Sequence, residues 1–177
     1  MRMEYGPEHI HRGFELEEHL IGHKIDWPSI LKQNKISPET LRYRDWQKII
    51  QELYPENPTM PKQKWGKDLY NFVAEKLGLD IENTEDLKFF NSLGTPMDRN
   101  GIDCFFTFKN PQTGKEAMFT IDVTANPKKD EWKANLVIGE MPNYRESPEE
   151  KEKYIEEMEK ASGRIAEKLR DDTEFIH

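Results

Sequence analysis

GTPMDRNGIDCFFTFKNPQTGKEAMFTIDVT, residues 94 to 124, is the stretch on which the reading of the fold turns. Asp103 opens the run Cys104 to Phe108, which is rich in aromatic residues. Asn110, Pro111 and Gly114 mark a turn, and Ala117 to Thr124 is a second β-prone run, so the segment predicts a hairpin. Side chains alternate across a strand, which puts Asp122 and Thr124 on one face and Phe119, Ile121 and Val123 on the other. Asp103 at the mouth of one strand and Asp122 on its neighbour can hold a hard divalent cation through oxygen ligands. Mg2+ (or Mn2+) suits such a pair, because it needs only one or two carboxylates and completes its shell with water and substrate phosphate. The same residues also admit a plainer reading, with Asp103 in a turn and Asp122 solvated on an edge strand.

Gly101-Ile102-Asp103, a hydrophobic strand, a turn, and then Asp122-Val123-Thr124 after an apolar residue resemble the core of the PD-(D/E)XK nuclease superfamily, the restriction-endonuclease-like fold. The resemblance spans roughly residues 63 to 140 and rests on short motifs. It implies an α/β (α+β) core, a mixed central sheet flanked by helices, with a last strand packed beside the hairpin. It also implies a metal-dependent nuclease that hydrolyses phosphodiester bonds in DNA, with Asp103 and Asp122 on the metal and an acidic group from a preceding helix, Asp68 or Glu75, completing the shell. Thr124 stands where that family carries lysine, and a hydroxyl has no charge with which to stabilise a phosphorane. Lys109, Lys128, Lys129 and Lys133 are the lysines that could stand in, with Lys129 or Lys133 expected to supply the displaced charge and Thr124 to orient the water. The alternative is an inactive nuclease-fold module that binds DNA or a protein partner.

Composition bounds the rest. The chain has 177 residues, a charged fraction of 34% and a net charge of −8, so its surface is not basic everywhere and bulk charge cannot give affinity for nucleic acid. Distribution matters more. Lys32, Lys35, Arg42, Arg44, Lys48, Lys62, Lys64 and Lys67 outnumber Glu39, Asp45, Glu52 and Glu56, whereas from Met141 onward seven basic residues face eleven acidic ones. Any DNA contact is therefore expected in the stretch from Arg42 to Lys67. No apolar run reaches membrane-span length and the first residues lack a signal-peptide core, which predicts a cytoplasmic protein without membrane contact. Cys104, the single cysteine, reads as a core residue of its strand.

Helices flank the hairpin on both sides in sequence. His19 and His23 share a face if Phe14 to Gly22 is helical, but neither a cysteine nor a zincin glutamate accompanies them, and zinc is not expected. Asp26 caps a short helix with Pro28 in its first turn. A second helix is expected from Ser37, with Leu41, Trp46, Ile49, Ile50 and Leu53 on its stripe, and the pair is compatible with a helix-turn-helix. Pro55, Pro58 and Pro61 form a rigid link, dividing a helical N-terminal extension (1–60) from an α/β core (61–177). Trp65 to Leu77 reads as a helix stopped by Gly78. The segment EDLKFFNSL fits helix or strand, Asp98 shapes a turn, Lys128 to Lys133 fits a short helix, and Ala134 to Ile138 reads as a strand. Ser147 and Glu150 form a capping box opening a long C-terminal helix (148–170), whose apolar stripe packs on the core or pairs with a second copy in a homodimer.

Overall fold

The computed structural model describes residues 7–80, 85–126 and 133–174, with side chains from residue 13 onward. Its elements in chain order are α1 (Pro7–Leu20), α2 (Trp27–Gln33), a 3₁₀ turn (Pro38–Thr40), α3 (Asp45–Leu53), α4 (Lys64–Leu77), β1 (Leu87–Asn91), α5 (Pro96–Arg99), β2 (Cys104–Lys109), β3 (Glu116–Val123), β4 (Leu136–Ile138) and α6 (Pro148–Thr173). The expected hairpin is β2 and β3, antiparallel, with Cys104 opposite Ile121 and Lys109 opposite Glu116. β1 adds antiparallel to β2 and β4 adds parallel to β3, which makes a mixed four-stranded sheet in the order β1-β2-β3-β4.

Alternation along the strands splits the core in two. Phe89, Cys104, Phe106, Phe119, Ile121 and Val123 share one cluster with residues of α1, α4 and α6. On the opposite face Phe90 and Phe105 pack with Trp27 and Leu31 of α2, Trp46 and Ile50 of α3, and Met97 of α5. The sheet is thus covered by helices on both sides, and β2 is buried throughout except at Lys109. Trp27 meets Trp46 edge to face at 6.3 Å, locking α2 to α3. Among the described residues no helix is long and apolar enough to cross a membrane.

Local chemistry sets the element ends. The Asp26 carboxylate accepts the Ser29 N–H at 3.2 Å at the start of α2, and Gly78, at φ +70°, ends α4 in the left-handed conformation that glycine adopts without strain. The helix expected from Ser37 is interrupted. Leu41 is extended at φ −83°, ψ 127°, and the Asp45 carboxylate takes the Arg42 N–H at 2.8 Å, so α3 begins afresh at Asp45. The unassigned segment EDLKFFNSL contains β1. Within the range expected for a short helix, Lys128 to Lys133, residues 128–132 lie outside the described residues. The Ser147 hydroxyl accepts the Glu150 N–H at 3.2 Å and opens α6. Ser147→Ala is expected to lower stability by about 1 kcal/mol, read as a shift in the urea midpoint at constant slope.

Candidate functional site

The segment entering β2 is tied down before the chemistry begins. Thr95 caps α5 through the Met97 N–H at 3.2 Å, and the Asp98 carboxylate accepts the Gly94 N–H at 2.7 Å, so Asp98 shapes the turn as expected. Ser92 Oγ donates to the Ile102 carbonyl at 2.7 Å, and the Ser92 N–H donates to the Asp103 carbonyl at 2.9 Å. The Asp103 N–H donates to the Ile121 carbonyl at 2.9 Å, and its Oδ2 accepts the Val123 N–H at 2.6 Å. Asp103 is therefore fixed through its N–H, its carbonyl and its side chain, directly opposite Asp122.

Both carboxyls are buried, each 3% exposed, so the reading of Asp122 as a solvated edge residue fails. At Asp122 β3 is flanked on both sides, by β2 and by Val137 of β4, so that position is not on an edge. The two side chains share a hydrogen bond, and burial pushes the Asp103 carboxyl up to about 9. The Val123 N–H opposes that rise, while the negative charges of Glu17 and Asp122 add to it. At neutral pH the Asp103 carboxyl therefore keeps its proton within the hydrogen bond to Asp122.

The acid brought near from a preceding helix is Glu17, half-buried on α1. Asp68 and Glu75 of α4 do not fill that role. Asp68 is engaged by Lys64 and accepts the Tyr154 hydroxyl of α6 at 2.9 Å, and Glu75 lies exposed on the same helix. The charges that act on Asp103 include those of Glu17 and Asp122. The reason is where α4 puts its polar flank: Trp65, Leu69, Tyr70 and Val73 face the sheet, and Asp68 is turned toward α6. Glu17 escaped the sequence reading because Glu15, Glu17 and Glu18 follow one another and only the packing of α1 on the sheet distinguishes them.

The lysines separate as well. Lys109 sits at the far end of β2 opposite Glu116, six residues from Asp103 and about 20 Å along the strand, so it is removed from the pair. Lys128 and Lys129 lie outside the described residues. Lys133 is beside the site: a methyl group on Gly101 would lie 3.5 Å from Asp122 Oδ2 and 3.7 Å from Lys133 Cδ. The two side chains thus flank one glycine, which at φ +78° occupies a conformation that other residues adopt only with strain. The Thr124 hydroxyl accepts the Asn126 N–H at 3.1 Å, and its N–H donates to Ile138 of β4 at 2.8 Å, so Thr124 closes the strand end next to the pair.

His23 is exposed and pairs with Glu18 at 3.0 Å. Among the described residues no three His, Cys, Asp or Glu side chains are arranged to hold a metal ion. The donor set at Asp103 and Asp122 is two carboxylates, hard oxygen donors, and such a pair matches the demand of Mg2+ or Mn2+, which takes one or two protein carboxylates and fills its remaining positions with water and phosphate oxygens. No protein-family model, curated protein or solved structure shows significant similarity to this chain.

Proposed function

We propose that the protein is a metal-dependent nuclease that hydrolyses phosphodiester bonds in DNA, built on a restriction-endonuclease-like core. The observation that carries this reading is the buried Asp103–Asp122 pair, facing across β2 and β3 with Lys133 beside it. A buried pair of carboxyls is costly to keep, and groups perturbed in this way cluster at functional sites. The mixed sheet with β4 beside the hairpin, covered by helices on both faces, is what the resemblance to the PD-(D/E)XK superfamily implies.

In this reading Asp103 and Asp122 would hold Mg2+ or Mn2+. The metal when bound supplies charge neutralisation at the phosphate and a more acidic water. The chain's own residues then have separate tasks. Asp103 and Asp122 give up their shared proton on binding the cation, and Glu17 adds negative charge behind them. Lys133, whose side chain borders Gly101 beside Asp122, would offer its ammonium to the phosphate in place of the lysine that Thr124 displaces. Lys133→Met is expected to lower the rate of plasmid nicking by about 10²-fold while metal affinity, measured by calorimetry, stays within a few-fold. The reading as a whole is tested by cleavage of supercoiled plasmid and of single-stranded DNA with Mg2+, with Mn2+ and with chelator. Cleavage that requires metal supports it, and absence of cleavage with metal bound favours the inactive DNA-binding module, for which Thr124 in the lysine position is the specific observation.

A further inference from the structure

Away from the carboxylate pair, the connection between α2 and α3 displays an aromatic ring between two arginines. Ile36 and Leu41 pack inward against the cluster of Trp27 and Trp46, while Arg42, Tyr43 and Arg44 point out. Tyr43 is 48% exposed. The connection is held by its own hydrogen bonds: Asn34 Nδ2 to the Ile30 carbonyl at 2.9 Å, Thr40 Oγ to the Ser37 carbonyl at 2.8 Å, and the Arg42 N–H to Asp45. Such anchoring fixes the backbone that carries the exposed residues and lowers the loop-ordering part of the cost of binding.

Charge and shape continue from there along one stripe of α3. Arg44, Gln47, Lys48, Gln51 and Glu52 line one wall of a groove of about 540 Å³ whose other wall is Glu116, Ala117 and Met118 at the start of β3. Among the described residues Arg42 forms no ion pair, and Arg44, with its side chain 74% exposed, touches only Asp45 at 4.0 Å. Lys48 is paired to Glu52 at 3.7 Å, and both are exposed, so a phosphate can compete for the ammonium. Met118 and Asp122 project to the same face of β3, four residues or about 13 Å apart. The groove therefore opens on the same face of β3 as Asp122, near the opposite end of the strand.

The structure assigns this surface, Tyr43 with Arg42 and Arg44 and the Gln47–Gln51 groove, as the contact for a single-stranded segment of DNA, with a base stacked on Tyr43 and the backbone held by the arginines. Aromatic rings beside cations along a polar groove are how proteins hold single strands, because every base offers a π-face, whereas in a duplex the bases are already stacked on one another. The assignment deepens the nuclease reading by naming the form of its substrate. It rests on that reading only for the groove's relation to Asp122.

The test is fluorescence anisotropy with a labelled single strand and the same sequence as a duplex, in chelator, so that binding is read apart from cleavage. The expected result is tighter binding of the single strand, a loss of about 5- to 150-fold for Tyr43→Ala, and retention within about two-fold for Tyr43→Phe. Arg42→Ala with Arg44→Ala should also reduce the slope of log affinity against log salt by about 1.4, the value for two contacts on a single strand. Tyr43 is exposed, and matching thermal melts establish that its variants fold. Tyr43→Ala binding as tightly as wild type, or a duplex bound as well as the single strand, overturns the assignment even if the protein nicks plasmid. Tyr43-dependent binding in a protein that never cleaves leaves the assignment standing and removes the nuclease reading.

Discussion

Asp122→Asn is expected to abolish metal-dependent strand cleavage and to erase the thermal stabilisation that Mg2+ or Mn2+ gives the wild type. Asp122 is buried in the middle of the sheet and its carboxyl shares a hydrogen bond with Asp103. The amide has nearly the same volume and can still share a hydrogen bond there, so the sheet is preserved while one anionic oxygen ligand is lost. At a metal concentration a hundred times the dissociation constant, a ligand that binds only the folded state stabilises by about 2.7 kcal/mol. For a chain of this size that corresponds to a rise of about 5–10 °C in Tm. The wild type should show that rise and the variant none, with single-strand binding in chelator unchanged between them. Equal metal-induced shifts in the two proteins would mean that the cation sits elsewhere.

Asp103→Asn has the opposite expected effect on the metal-free protein: it should stabilise it at neutral and alkaline pH. The Asp103 carboxyl is raised to about 9 in the folded protein, chiefly by burial, whereas in the unfolded chain it ionises at an ordinary carboxylate value. Between those two values the folded state holds a proton that the unfolded state has released. Stability is therefore fully present at acid pH and is lost as pH rises through the folded value, by about 1.4 kcal/mol per pH unit. Asparagine does not titrate, and its carbonyl oxygen can keep the Val123 N–H satisfied. At about pH 7 the variant should be more stable by on the order of 1–4 kcal/mol, and the two proteins should converge toward about pH 4. Urea midpoints across that range in chelator measure it. Parallel pH profiles would show that Asp103 does not carry the strain. A site residue whose removal stabilises the fold is one kept for function at a cost to stability.

The sequence and the fold agree best where local chemistry and burial pattern point the same way. Asp26, Gly78 and Ser147 end their helices as the capping rules require, and the hairpin follows from an alternation that Phe119, Ile121 and Val123 satisfy on one face and Asp122 on the other. β1 was ambiguous because Phe89 and Phe90 are both buried, one on each side of the sheet, so the strand has no polar face to reveal its period. The break before α3 depends on the side chain of Asp45 reaching back to Arg42, which the apolar stripe does not register. At the site, the opposed aspartates were legible and the supporting groups were not. Glu17 acts on Asp103 through the packing of α1, and Lys133 and Asp122 both border a glycine whose conformation no pattern of hydrophobicity encodes.

The measurement that tests the carboxylate pair most directly is calorimetric titration of Mn2+ and Mg2+ into the wild-type protein at about pH 6 and about pH 8, in buffers of different ionisation enthalpy. If Asp103 and Asp122 hold the cation, the proton they share must leave as the metal arrives. Affinity should then rise by about ten-fold per pH unit, and close to one proton should pass to the buffer for each metal bound. Metal binding with the same affinity at both pH values and no proton released would contradict the pair as the metal site.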